Sequence, residues 1–214
     1  MSELAAPAFL PVLQSIIEVL AVLAFALSGI ASGLRAGMDL VGVCFVAGVT
    51  ALGGGTLRDL LLDRRPFFWI EQDHLVWMII GLCVLASLVL RRSHAELTER
   101  SIQIPDAVGL GLFSALGAQI ALAEGASVIV AILMGVISST LGGVLRDTFC
   151  NVVPKAFSDH QPYILLAVLG SGLVIGLDAL GWPAWIGLLI GVCVTSGTRV
   201  LAILYRWSIP QWRA

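Results

Sequence analysis

Long apolar stretches, each broken by only a few polar residues, follow one another along nearly the whole chain. A helix needs roughly 20 apolar residues to cross a bilayer. On that measure seven segments stand out, centred on residues 16–34, 40–61, 75–90, 108–123, 126–149, 164–180 and 184–205. The only long polar connection, residues 91–100, divides the chain near its middle. The pattern predicts an all-α integral membrane protein, a single transmembrane domain over residues 1–214 with seven transmembrane helices.

The two sides of that division repeat each other. Phe25, Gly29, Leu34, Gly37, Gly54, Gly55, Leu57, Arg58, Asp59 and Pro66 recur 88 residues later as Phe113, Gly117, Leu122, Gly125, Gly142, Gly143, Leu145, Arg146, Asp147 and Pro154. An acid near the start of each half recurs as Glu18 and Asp106. The expected organisation is repeat 1 over 15–91, repeat 2 over 106–180 and an extra helix over 184–205. Three crossings per repeat force the second to enter from the opposite side of the membrane, so the halves are inverted.

Composition agrees with a lipid solvent. Of 214 residues 58% are hydrophobic and 12% charged, and the mean hydropathy is +0.99, against about 25% charged residues in a soluble domain. A net charge of −2 gives no basic footprint for nucleic acid. Cys44, Cys83, Cys150 and Cys193 are scattered in apolar sequence, so neither a metal site nor a disulfide framework is expected. The first eleven residues contain no Lys or Arg, so they lack the positive region of a secretory signal and are expected to be retained.

Loop charges set the expected orientation. One alternating set of loops holds Arg35, Arg91, Arg92, Arg100, Arg146, Lys155, Arg206 and Arg213, and the other Arg58, Arg64 and Arg65. This places the N-terminus outside and the C-terminus in the cytoplasm. Phe67, Phe68, Trp69, Trp77, Trp182 and Trp185 then fall at the outer interface, and Tyr205, Trp207 and Trp212 at the inner one.

The candidate chemistry lies in the second and fifth segments. Gly53, Gly54 and Gly55 precede Arg58 and Asp59, and Gly142 and Gly143 precede Arg146 and Asp147. Glycine costs a helix about 1 kcal/mol relative to alanine, so these runs are expected to break both helices and expose backbone in a polar midplane site. The alternative is that they only let helices pack closely. Arg58, Asp59, Arg146 and Asp147 at membrane depth should face the bundle interior and pair with each other or with Glu18 and Asp106. Arg58 is expected to choose another helix over its sequence neighbour Asp59; the alternative has both arginines snorkelling to headgroups. Hydroxyls of Thr50, Thr56, Ser138, Ser139 and Thr140 surround the glycines and can replace part of an ion's hydration shell, or bond the backbone four residues back. Ser28, Ser114 and Gln119 are further lining candidates. His74, His94 and His160 read as solvated loop residues. Catalytic residues are not expected, because no nucleophile, base and orienting group occur together.

The doubled Gly-Gly-x-x-Arg-Asp motif, the three-plus-three-plus-one layout and the length resemble the prokaryotic trimeric intracellular cation (TRIC) channels, also grouped as glycine-transporter-domain proteins. The resemblance covers about residues 15 to 205. It implies a homotrimer with an hourglass pore in each protomer, surrounded by helices one, two, four and five of the seven. By that match Gly53 to Gly55 with Gly142 and Gly143 form kinks at the waist, and Thr50, Ser138 and Ser139 line it. The resemblance also implies passage mainly of potassium, with sodium passing too, so transported ions and bound lipid are the only expected ligands. The animal members' Lys-Glu-Val signature and long charged C-terminal tail are missing, which points to a prokaryotic inner membrane and away from a reticulum. Leu141 stands where the first motif has Gly53, so the half-sites need not be equally open. A cation channel is the leading expectation, and a secondary transporter of glycine or another small zwitterion the alternative.

Overall fold

A computed structural model describes residues 9–93, 98–158 and 161–208. The first eight residues, His94, His160, Trp212 and Arg213 lie outside the described residues. The described chain forms α1 (Phe9–Arg35), α2 (Leu40–Leu61), α3 (Phe68–Glu71), α4 (His74–Ser93), α5 (Glu99–Ala123), α6 (Val128–Phe149), α7 (Lys155–Ser158), α8 (Tyr163–Ala179) and α9 (Ala184–Leu204). Helices α1, α2, α5, α6 and α9 are long and apolar enough to cross a membrane, whereas the apolar parts of α4 and α8 are shorter. At 17 residues α8 extends only about 26 Å.

The order long, long, four-residue, apolar occurs twice, as α1 to α4 and α5 to α8, with α9 left over. The sequence pattern missed two features of it. The short helices α3 and α7 carry too few residues for a periodicity. Helix α5 begins at Glu99, well before the expected 108, and runs through Pro105. Its first residues, Glu99 and Arg100, fall in the stretch expected to be a polar connection, and Ser101 and Gln103 follow before the apolar run. Both α1 and α5 end at a glycine with positive φ, Gly37 at 74° and Gly125 at 78°, where a residue without Cβ suits the left-handed turn.

Helices α1 and α5 form the centre. Their Phe25 and Phe113, equivalent positions of the two repeats, meet with ring centroids 5.7 Å apart. Outside them α2 and α6 cross antiparallel, as shown by the pairings Phe45 with Phe149, Thr50 with Gly142, and Gly54 with Ser138. Helix α9 lies on α5 and α8 of the second repeat.

The crossing of α2 and α6 corrects the expectation of broken helices. Both are helical without interruption through their glycines. A Cβ on Gly54 would lie 2.0 Å from the Ser138 carbonyl oxygen, and one on Gly142 would lie 2.2 Å from that of Thr50. These are the same contact seen from either repeat. The glycines are there because each backbone accepts the other's carbonyl, leaving a Cα–H against oxygen as is common between closely packed helices. The packing recovers what glycine costs in helix propensity, so no break is needed. The equivalent Gly29 and Gly117 seat α1 on Val46 and Thr50, and α5 on Met134 and Ser138.

Replacing Gly54 or Gly142 with alanine should therefore lower stability by about 1–3 kcal/mol, the usual range for overpacking. Gly48→Ala and Gly172→Ala, where nothing lies within 4 Å of the added carbon, should be neutral or stabilising. Thermal unfolding of the four variants in detergent checks this contrast.

Candidate functional site

Just past each crossing glycine pair an arginine enters the protein interior. Arg58 is fully buried and Arg146 is 2% exposed. A buried guanidinium requires partners on several sides, and both repeats supply them alike. Arg58 donates from Nε to Asp59 Oδ1 at 2.8 Å and from Nη2 to Glu18 Oε1 at 3.2 Å. Arg146 donates from Nε to Asp147 Oδ1 at 2.8 Å and from Nη1 to Asp106 Oδ1. The pairing with Glu18 and Asp106 thus occurs within each repeat, and the arginines do not snorkel to the surface. The expectation that Arg58 would pass over Asp59 needs correction. The guanidinium lies between the two acids, its inner nitrogen Nε reaching the adjacent carboxylate while its tip reaches α1.

The second oxygen of each aspartate explains the short helices. Asp59 Oδ2 accepts from the Phe68 backbone N–H at 3.0 Å, nine residues on. Asp147 Oδ2 accepts from Lys155 N–H at 2.9 Å, eight residues on. These are the first residues of α3 and α7, whose N–H groups have no partner within their helices. The motif is therefore legible residue by residue: glycine for the crossing, arginine for the acid on α1 or α5, aspartate to hold arginine and cap the following helix. Pro66 and Pro154 lie in the turns that bring the chain back.

The clusters differ in detail. Arg146 Nη1 also donates to Ser28 Oγ at 2.6 Å, and Ser28 donates onward to the Ile102 carbonyl. The position equivalent to Ser28 is Leu116, and Arg58 Nη1 is buried without a hydrogen-bond partner. Glu18 instead accepts a further bond from Gln72 Nε2 at 3.0 Å. Phe68, expected at an interface, is buried with its ring 5.5 Å from the Arg58 guanidinium.

Each cluster borders a cavity. One of about 690 Å³ is lined by Gln14, Glu18, Asp59, Arg64, Glu71, Gln72 and His74 among others. The second, about 320 Å³, is lined by Ser32, Arg35, Glu99, Ile102, Asp147 and Lys155 among others. They lie toward opposite ends of α1. Asp59 and Asp147, Gln14 and Ile102, and Arg64 and Val152 occupy equivalent positions in them.

The hydroxyl candidates lie elsewhere. Thr50, Ser138, Ser139 and Thr140 are buried and do not line either cavity. Thr50, Ser139 and Thr140 donate to carbonyls four residues back, and Ser138 Oγ has no partner. Thr56 donates to Leu52 O, accepts from Trp69 Nε1 and lines an apolar groove with Gly53. Ser114 bonds within α5, and Gln119 joins Gln14 to the start of α9. The pattern did not reveal Gln72, Glu124 or the Lys155–Glu99 ion pair, because they lie in loops or helix ends without periodicity.

These features define a multi-pass membrane protein built from two inverted repeats around a pair of buried arginine–carboxylate clusters. A family model described as "Glycine transporter" matches residues 15–91 and again 103–179, two stretches 88 residues apart like the paired motifs. The chain belongs to that family, which is the family of the TRIC channels. It is similar to the TRIC trimeric intracellular cation channel orthologue from Rhodobacter sphaeroides, with 32% identity, a TM-score of 0.83, and coverage of 91% of this chain and 99% of that one. A second TRIC cation channel structure is 31% identical, with a TM-score of 0.81 and coverage of 94% and 97%. A UPF0126 membrane protein of Vibrio cholerae is 34% identical over 92% of this chain and 82% of its own length.

Removing one member of a buried ion pair costs about 3–5 kcal/mol. Glu18→Gln and Arg58→Gln should each destabilise strongly, and the double variant by clearly less than their sum. The same holds for Asp106 and Arg146. Chemical denaturation in a double-mutant cycle measures the coupling.

Proposed function

We propose that the protein is a monovalent cation channel, permeable to potassium and sodium, with one pore in each protomer of a homotrimer. It crosses a prokaryotic inner membrane seven times, N-terminus outside and C-terminus cytoplasmic, with lipid on the exposed apolar faces. The observation that carries this reading is the pair of cavities toward opposite ends of α1, each with buried carboxylate at its base: Glu18 and Asp59 in one, Asp147 in the other. The larger cavity holds more acid than base, Glu18, Asp59 and Glu71 against Arg64, and such a lining raises the local concentration of cations. The pore runs between them among α1, α2, α5 and α6. Its waist lies at Gly53 to Gly55, Gly142 and Gly143, beside Thr50, Thr56, Ser138, Ser139 and Thr140. Ions pass when α2 and α6 separate at their crossing. The arginine clusters hold the helix ends so that this motion leaves the fold intact.

A secondary transporter of glycine or another small zwitterion is the second reading. The family model's description and the inverted repeats favour it.

In planar bilayers under a potassium gradient, the purified protein should give discrete current steps reversing near the potassium potential. Silent bilayers combined with saturable glycine uptake into liposomes would establish the transporter instead. Gly54→Leu and Gly143→Leu should abolish potassium flux while the protein still inserts. Undiminished flux in both would remove the glycines from the conduction path.

A further inference from the structure

The two cavities are related by the repeat, but their basic side chains differ: Arg64 lines the larger, Arg35 and Lys155 the smaller. Arg64 follows α2 and lines the larger cavity, where it is the only arginine or lysine among the described lining residues. Its Nη1 lies 3.4 Å from Asp59 Oδ1, the oxygen that Arg58 also holds. Its Nε lies 3.1 Å from Glu124 Oε1, at the end of α5 in the other repeat. Arg64 therefore spans the mouth from the buried cluster of repeat 1 to repeat 2. Equivalent positions in the second half are Val152 for Arg64 and Ala36 for Glu124, so the opposite mouth has no such bridge. There Lys155 pairs with Glu99 inside a single repeat, and the side chain of Asp147 is left to Arg146 and a backbone N–H.

Resting on the channel reading, we propose that Arg64 is a specificity-determining counter-charge that meters cation entry through the mouth containing Glu18. An entering cation meets Glu18, Asp59 and Glu71 there, but Asp59 and Glu124 are already engaged by a fixed positive group. The cation must compete with that group for Asp59, while Glu124 holds the guanidinium in place. At 37% side-chain exposure the guanidinium is within reach of salt, so its effect is screened as ionic strength rises. At the other mouth the basic groups are Arg35 and Lys155, which act on Glu99, and the Asp147 carboxylate is held by Arg146 and a backbone N–H.

The test compares wild type, R64Q, R64K and E124Q in planar bilayers in symmetric KCl, at 0.1 M and at 1 M. The Debye length falls from about 10 Å to about 3 Å between these. In 0.1 M KCl, R64Q should raise current entering from the Glu18 mouth about twofold to threefold, leave the opposite direction nearly unchanged, and lose this difference in 1 M KCl. R64K should stay near wild type. E124Q, which leaves the Arg64 charge unbalanced, should lower entry from that mouth, and it keeps the idea testable if R64Q fails to insert. R64Q or E124Q currents equal to wild type in 0.1 M KCl overturn the proposal, as does an R64Q gain that persists in 1 M KCl or is shared by R64K. A wild-type protein that carries no current overturns the channel reading itself, a different outcome from a conducting channel indifferent to position 64.

Discussion

Where α2 and α6 cross, a carbonyl oxygen occupies the space that a side-chain carbon would fill, once at Gly54 and once at Gly142. Without a strong hydrophobic force between helices in lipid, close backbone approach is one of the main sources of association. The contact locates the two repeats against each other, since Thr50 and Ser138 are each wedged between a glycine of their own repeat and one of the other. The positions of Arg58 and Arg146, one turn beyond the glycines, follow from it. So does the separation of the two cavities.

The buried charges are then a consequence of geometry. An arginine carried inward at that point needs an acid on the adjoining central helix, and Glu18 and Asp106 stand in the same relation to their motifs. The neighbouring aspartate serves two masters, guanidinium and helix end, which ties the returning loop to the core. The same few residues thus hold the helix ends and border the two cavities. Where the halves diverge, as at Ser28 against Leu116, one cluster is more completely bonded than the other.

Much of this was legible in the sequence. The constant offset of 88 residues and the doubled motif could be read without coordinates, whereas the pairing of Arg58 with Glu18 and of Arg146 with Asp106 was one expectation beside mutual pairing and snorkelling, and the structure selects it. The glycines were harder. A run of Gly in a helix carries the same signal whether it breaks the helix or admits a neighbour, and only the partner's position decides. Arg64 and Glu124 were invisible as a pair because they lie 60 residues apart and in different repeats. The start of α5 was hidden by Pro105 and by polar residues in its first turns, although they lie on a helix otherwise almost enclosed by protein.

The self-matching crossing has a consequence for how such a molecule could arise. Each half offers a notch and a knob, and receives the same from its inverted counterpart, which is the condition for an isologous interface. A lone half inserted in both orientations would already possess the means to dimerise with itself. The present chain departs from that symmetry in its unshared parts, α9 seated mainly on the second half and the Arg64–Glu124 link at one mouth.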